Sequence, residues 1–170
     1  MLRRISIPAL LLLAGLGACR EEPQTAAAQV PGLAEPQGQA QTGLRVIPLT
    51  ISSGTRRHVF QVEVAASESE QSRGMMFRRW IAPDAGMLFP FVPPRPASFW
   101  MKNTLIPLDM LFIRQDGSIA RIAAKATPLS LDAVGVGEPV AAVLELAGGR
   151  AAALGIQEGD RASWSDGPAR

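Results

Sequence analysis

Apolar and polar residues alternate with a period of two along much of the chain from residue 44 onward. Residues 44–51 and 59–64 carry the pattern most clearly. In the second run Phe60, Val62 and Val64 share one face while Gln61 and Glu63 share the other, as in a strand buried on one side. Ser67-Glu68-Ser69-Glu70 breaks the alternation with a capping box. Ser67 can accept from the backbone N–H three residues on while Glu70 reaches back, so a short helix ending near Gly74 follows. Pro83-Asp84-Ala85-Gly86 supplies turn chemistry before a short apolar strand at 87–89. The four prolines between Pro90 and Pro96 fix φ and remove donors, which predicts a stiff loop excluded from a sheet interior.

Further along, residues 98–101 and 105–113 read as strands on either side of a polar turn at Lys102-Asn103-Thr104. Arg114-Gln115-Asp116-Gly117 carries the Asp-Gly pair favoured where two residues need positive φ, and an apolar run resumes at 119–123, so a hairpin is expected. Residues 140–146 form another strand. Residues 148–154 predict a one- or two-turn helix closed by Gly155 at its C′ position. Gln157-Glu158-Gly159-Asp160 then turns the chain into a last strand ending at Trp164. Seven or more short strands, two short helices and a turn about every ten residues predict a mainly β fold, a compact β-sandwich or barrel. Strands do not alternate with long helices, which argues against a doubly wound nucleotide-binding fold.

The first 43 residues follow no such pattern. Arg3 and Arg4 precede an apolar segment at 10–16 that is much shorter than the ~20 residues needed to span a bilayer. Leu16-Gly17-Ala18-Cys19 then places the single cysteine directly after small residues. This is the layout of an export signal that ends in a lipidation site. At roughly 0.8 kcal/mol per buried methylene, two or three acyl chains on Cys19 would hold the protein durably to a membrane. Residues 20–43 are mostly Pro, Gln, Ala and Gly, too poor in large apolar groups to offset chain entropy, and read as a flexible tether with a reach on the order of 25 to 30 Å. The expected organisation is therefore a signal peptide at 1–18, a lipidated cysteine and tether at 19–43, a single β domain at 44–166 and a disordered tail at 167–170.

Processing also changes the charge. Lys and Arg total 17 and Asp and Glu 15, but removal of Arg3 and Arg4 leaves fifteen of each, without the clustered basic surface that nucleic acid requires. With Cys19 carrying lipid no thiol is left, so the domain is expected to fold in the cell envelope, facing the periplasm, without disulfides. Arg20 stands where an aspartate would retain such a protein at the inner membrane, which favours the outer one.

Three runs carry a resemblance: Arg73-Gly74-Met75-Met76-Phe77-Arg78; Asp84-Ala85-Gly86-Met87-Leu88-Phe89; and Ser98-Phe99-Trp100-Met101-Lys102-Asn103-Thr104 with Ile106-Pro107-Leu108-Asp109-Met110. Val143-Leu144-Glu145-Leu146, Gly149, Leu154-Gly155-Ile156 and Gly159-Asp160 extend it. The chain resembles the family named domain of unknown function 192 (DUF192) from about residue 59 to 164. The resemblance implies a compact, often exported, jelly-roll-like β domain. It brings no established activity, cofactor or catalytic residue.

Candidate chemistry concentrates between Trp100 and Asp109. Trp100 offers an apolar face and an indole donor, Lys102 a cation, Asn103 an amide and Thr104 a hydroxyl, a set suited to a polar ligand such as a sugar or peptide. The same residues also suit a turn beside a buried Trp, with Asp109 accepting backbone hydrogen bonds. Asp109 and Glu145 each interrupt an apolar strand, where an ionised carboxylate needs a partner. Arg73 or Lys102 would be the counter-ion, and the two carboxylates could serve as acid and base in a hydrolase or transferase. Met75, Met76, Met87, Met101 and Met110 could hold Cu(I) with help from His58 and Trp100, but Met is also an ordinary core filler and no Met-x-Met spacing occurs. His58 follows Arg56-Arg57 and is expected on the surface. One His and no free Cys leave too few ligands for zinc, no Gly-x-Ser-x-Gly elbow or phosphate loop is present, and no cofactor is expected. The sequence thus favours a lipid-anchored, non-catalytic envelope module that binds a small polar ligand or a partner protein, and not nucleic acid.

Overall fold

The computed structural model describes residues 38–165 and 167. The export signal, Cys19, most of the tether and the C-terminal tail apart from Gly167 lie outside the described residues. In chain order the elements are β1 (Val46–Ser53), β2 (Arg56–Val64), α1 (Glu68–Arg73), β3 (Ala85–Arg95), β4 (Ser98–Phe99), β5 (Leu108–Ile113), β6 (Ile119–Ala126), β7 (Val134–Gly135), β8 (Val140–Ala147), α2 (Arg150–Leu154) and β9 (Arg161–Trp164). Seven strands form one mixed sheet in the order β6-β5-β8-β3-β2-β1-β9, and β4 pairs with β7 in a small second sheet. β2 and β3 run parallel, and α1 lies in the crossover that a parallel pair requires. Among the described residues no helix is long and apolar enough to cross a membrane.

The expected mainly β body with two short helices is present, but the barrel alternative is not realised. The edge strands β6 and β9 approach at one end, where Ser118 and Arg161 form a bridge. There the Ile119 N–H donates to the Asp160 carbonyl and the Ala162 N–H to the Gly117 carbonyl, both at 2.8 Å. The sheet therefore curls without closing. Its inner face gathers Ile47, Leu49, Ile51, Phe60, Val62, Leu88, Leu111, Ile113, Leu144 and Leu146, with Ala151 of α2 beneath them. Its outer face over β3, β5 and β8 gathers Met87, Phe89, Phe91, Met110, Phe112 and Val143, covered by Met75, Ala97 and Met101. β5 is buried at all six positions and β8 at six of eight, so these central strands read as apolar runs and not as alternations. Gly86 lets β3 lie against β8: a Cβ there would come 2.7 Å from the Glu145 carbonyl oxygen.

Three local expectations are corrected. The proline segment is not a loop, because β3 continues through Pro90 to Arg95. The last β2–β3 pair is Val64 with Leu88, and the pairing with β8 breaks register between Pro90 and Arg95, an edge and bulge setting that tolerates proline. The strand expected at 98–101 ends at Phe99, and β5 begins only at Leu108. The residues between them carry the chain from the small sheet to the large one, with Met101 N–H on the Ser130 carbonyl at 2.9 Å and Asn103 at φ 56°. At the Asp116-Gly117 hairpin, Gly117 takes positive φ, at 86°, and Asp116 is not among the positive-φ residues. Asp116 instead accepts from the Ser118 N–H and hydroxyl at 2.9 and 2.7 Å, which closes the turn with a side chain.

Asp109 is fully buried on the inner face of β5. One of its oxygens accepts from the Lys125 and Gly149 N–H groups at 2.8 and 2.7 Å, and the other from the Ala151 N–H at 2.8 Å. Gly149 caps α2 with no side chain of its own, so the carboxylate of a neighbouring strand does that work and ties β5, β6 and α2 together. An Asp109→Ala variant should lose about 3–5 kcal/mol in urea unfolding by orphaning the three donors that converge on this buried position, and Asp109→Asn about 1–3 kcal/mol because its amide NH₂ cannot accept. A loss below ~1 kcal/mol for Asp109→Ala would refute this role.

Candidate functional site

On the outer face a register row runs across four strands: Glu63 of β2 opposite Met87 of β3, Met87 opposite Glu145 of β8, and Glu145 opposite Met110 of β5. Glu145 is thus flanked by two thioethers, which offer it no proton donor. It is 4% exposed, and its Oε2 has no hydrogen-bond partner. Burial pushes its carboxyl up to about 8, against a lowering pull from the Arg78 guanidinium. Arg78 is committed elsewhere, pairing with Glu63 at 2.5 Å and donating to the Gln41 carbonyl at 3.1 Å.

Glu145 lines an open cleft of about 410 Å³. One wall comes from α1 and the residues after it, with Gln71, Arg73, Met75 and Met76; the opposite wall is Phe89, Phe91 and Arg95 of β3 with Phe99, Trp100, Lys102 and Thr104. The α1 wall is set by the capping box foreseen in the sequence. Glu70 N–H donates to Ser67 Oγ at 3.3 Å, while Glu70 Oε2 accepts from the Ser67 and Ala66 N–H groups at 2.8 Å each. The backbone donors hold the Glu70 carboxyl below its ordinary range. Phe89, Phe99 and Phe112 stack edge-on, with centroids 5.0 and 6.4 Å apart, which stiffens the far wall. Three cations of the lining rest on aromatic rings: Arg73 on Phe77 at 5.0 Å, Arg95 on Phe91 at 4.3 Å and Lys102 on Trp100 at 5.2 Å. Such stacking holds a long side chain in place while leaving its charge available.

Of the residues singled out in the sequence, the cleft brings together Trp100, Lys102, Thr104, Arg73 and Glu145. Trp100 is 51% exposed and is not core. Thr104 is buried, and its hydroxyl donates to the Lys102 carbonyl at 3.4 Å. Asn103 shapes the turn: it takes positive φ, its carbonyl accepts from Phe77 N–H at 2.8 Å, and its amide donates to the Met76 sulfur at 3.8 Å. Asp109 lies on the opposite face of the sheet from Glu145, because its register partner is Leu146 and not Glu145. The two carboxylates cannot act on one substrate, which removes the acid–base pair. Neither takes Arg73 or Lys102 as its ion-pair counter-ion: Asp109 is satisfied by backbone N–H groups, and Arg78 is the cation acting on Glu145.

Met75, Met87, Met101 and Met110 belong to the outer-face core, whereas His58 sits on β2 in register with Ile51, on the inner face and only partly exposed. It cannot help those sulfurs hold copper. Among the described residues no three His, Cys, Asp or Glu side chains converge on a metal position. The reading of the sequence missed Arg95, Arg78 and Gln71. Continued alternation at Phe89 and Phe91 past Pro90 was the signal for Arg95; the other two reach the site only through tertiary packing. Cys19, the expected lipidation site, lies outside the described residues.

Residues 49–164 match the DUF192 family model, described as uncharacterized ACR. The chain is 42% identical to a provisionally named transcription regulator from Sinorhizobium meliloti 1021, whose crystal structure superposes with a TM-score of 0.71 over 74% of this chain and 98% of that one. It is likewise 42% identical to a protein of unknown function from Novosphingobium aromaticivorans DSM 12444, with a TM-score of 0.71 over 77% of this chain and 94% of that one. No curated protein matches it. The match over nearly the whole β domain, on the residues that build both faces of the sheet, places this chain in the DUF192 family.

Proposed function

We propose that the protein is a non-catalytic module of the cell envelope, held to a membrane by lipid on Cys19, whose outer-face cleft binds a small polar ligand. The observation that carries the binding reading is Glu145: a buried carboxyl with an unpartnered oxygen in the lining of an open cleft. Leaving such a group unsatisfied costs on the order of 1–3 kcal/mol or more, and buried polar groups of this kind collect where ligands are received. Aromatic walls with a few convergent polar groups are the usual make-up of a small-molecule site. The lining holds Glu68 and Glu145 but no histidine or cysteine, and without a base set beside a nucleophile it supports binding over turnover. The regulator name carried by the Sinorhizobium relative has no counterpart in the even charge balance left once Arg3 and Arg4 are removed.

Three outcomes test this. In thermal-shift measurements against simple sugars, dipeptides and small organic acids, at least one class should raise the melting temperature of the wild type. Trp100→Ala and Lys102→Ala should stay folded, since both side chains lie at the cleft's surface, but lose that shift. If neither variant loses it, the site lies elsewhere.

The folded state holds a proton on Glu145 that the unfolded chain releases. Stability should therefore fall as pH rises from about 4.3 to about 8, with a slope of at most ~1.4 kcal/mol per pH unit. Calorimetry at several pH values should show that slope in the wild type and its loss in Glu145→Gln; an equal slope in both would refute the assignment. Finally, Cys19→Ser should move the full-length protein from the membrane to the soluble fraction, and its retention in the membrane would refute the anchor.

A further inference from the structure

Building on the ligand-binding reading, we infer that the cleft takes a small organic anion with a flat apolar body, and that Glu145 receives its oxygen as a neutral acid, donating the hydrogen bond. Charge and shape both point this way. The lining presents Arg73, Arg95 and Lys102 against a single surface acid, Glu68, so an incoming anion meets a cationic mouth. At the floor, Glu145 sits between the Met87 and Met110 positions. An ionised carboxylate there would be cut off from solvent with one oxygen unpartnered, and next to a bound anion it would be repelled as well. The protonated form suits the same place, since it brings a donor where the flanking thioethers bring none. Phe89, Phe91, Phe99 and Trp100 supply faces and edges for a ring, and a volume of about 410 Å³ lies in the range of single-ligand pockets.

The charged groups of the cleft lining and of the row beside Glu145 are Arg78 from the segment after α1, Glu63 on β2, Glu68 and Arg73 on α1, Arg95 on β3 and Lys102 between β4 and β5. None of these residue types ordinarily titrates between pH 6 and 9, and the sole histidine is on the other face. A change of affinity in that window therefore reports Glu145. Binding an anion to the neutral acid is coupled to keeping its proton, so affinity must fall as the proton is lost, by up to tenfold per pH unit.

The test uses benzoate, benzyl alcohol and benzylamine, which present one ring with an anionic, a neutral and a cationic head, titrated calorimetrically into the protein between pH 6 and 9. Benzoate should bind best, with an affinity that declines toward pH 9. Glu145→Gln, whose amide still donates, should bind benzoate with that decline abolished, and Arg95→Ala or Lys102→Ala should weaken benzoate several-fold more than they weaken benzyl alcohol. Preferential binding of benzylamine, or benzoate affinity that rises with pH, would overturn the inference while leaving the cleft as a ligand site. If none of the three binds but a sugar or dipeptide still shifts the melting temperature through Trp100, only the anion assignment falls. If nothing binds at all, both readings fall.

Discussion

Two carboxylates stand in central strands that are packed on both faces of one sheet, and the molecule is organised by what it does with each of them. Alternation sends Asp109 to the inner face and Glu145 to the outer. Inside the curl, Asp109 meets three backbone N–H groups at 2.7 to 2.8 Å and becomes a fixed joint between strand and helix. Outside, Glu145 meets two thioethers in register and an open cleft. The same residue chemistry is thus spent on stability in one place and left unspent in the other. A single register step would exchange their faces, so the pairing of β5 with β8 is what separates scaffold from site.

Local signals were legible in the sequence where the physics is local. The capping box at Ser67 and Glu70 forms as its spacing implies, and Gly155 closes α2 with a left-handed conformation at φ 68°. The alternation of Phe60, Val62 and Val64 puts all three in the inner core. Asp109 was readable as a backbone acceptor in an apolar strand, but its donors are 16 to 42 residues away and no local pattern announces them. The prolines were misread for a related reason. Proline is tolerated at a sheet edge or bulge, and past Pro90 β3 has lost β2 on one flank and breaks register with β8 on the other.

The cleft shows the same division. Trp100, Lys102 and Thr104 cluster in sequence and remain together in space. Glu145 joins them only because β8 enters between β3 and β5, and Arg95 only because β3 persists. Arg78 is a tertiary addition: it neutralises Glu63 and leaves Glu145 short of a partner. In the cation–aromatic pairs, by contrast, cation and ring are near neighbours in sequence, and the ring steadies the cation at the wall.

The last residues of the segment read as a tether are stitched to the cleft wall. Gln41 donates to the Glu70 and Gly74 carbonyls at 3.1 and 2.9 Å, Arg73 donates to the Gln39 carbonyl, and Arg78 holds the Gln41 carbonyl. Most of these bonds grip the carbonyl end of α1, and Gln41 also donates to the Met87 sulfur of β3 at 3.6 Å. Removal of residues 39–41 would consequently loosen Arg73, Gly74 and Arg78 together, so the shape of the cavity wall depends on a short stretch that precedes the first strand.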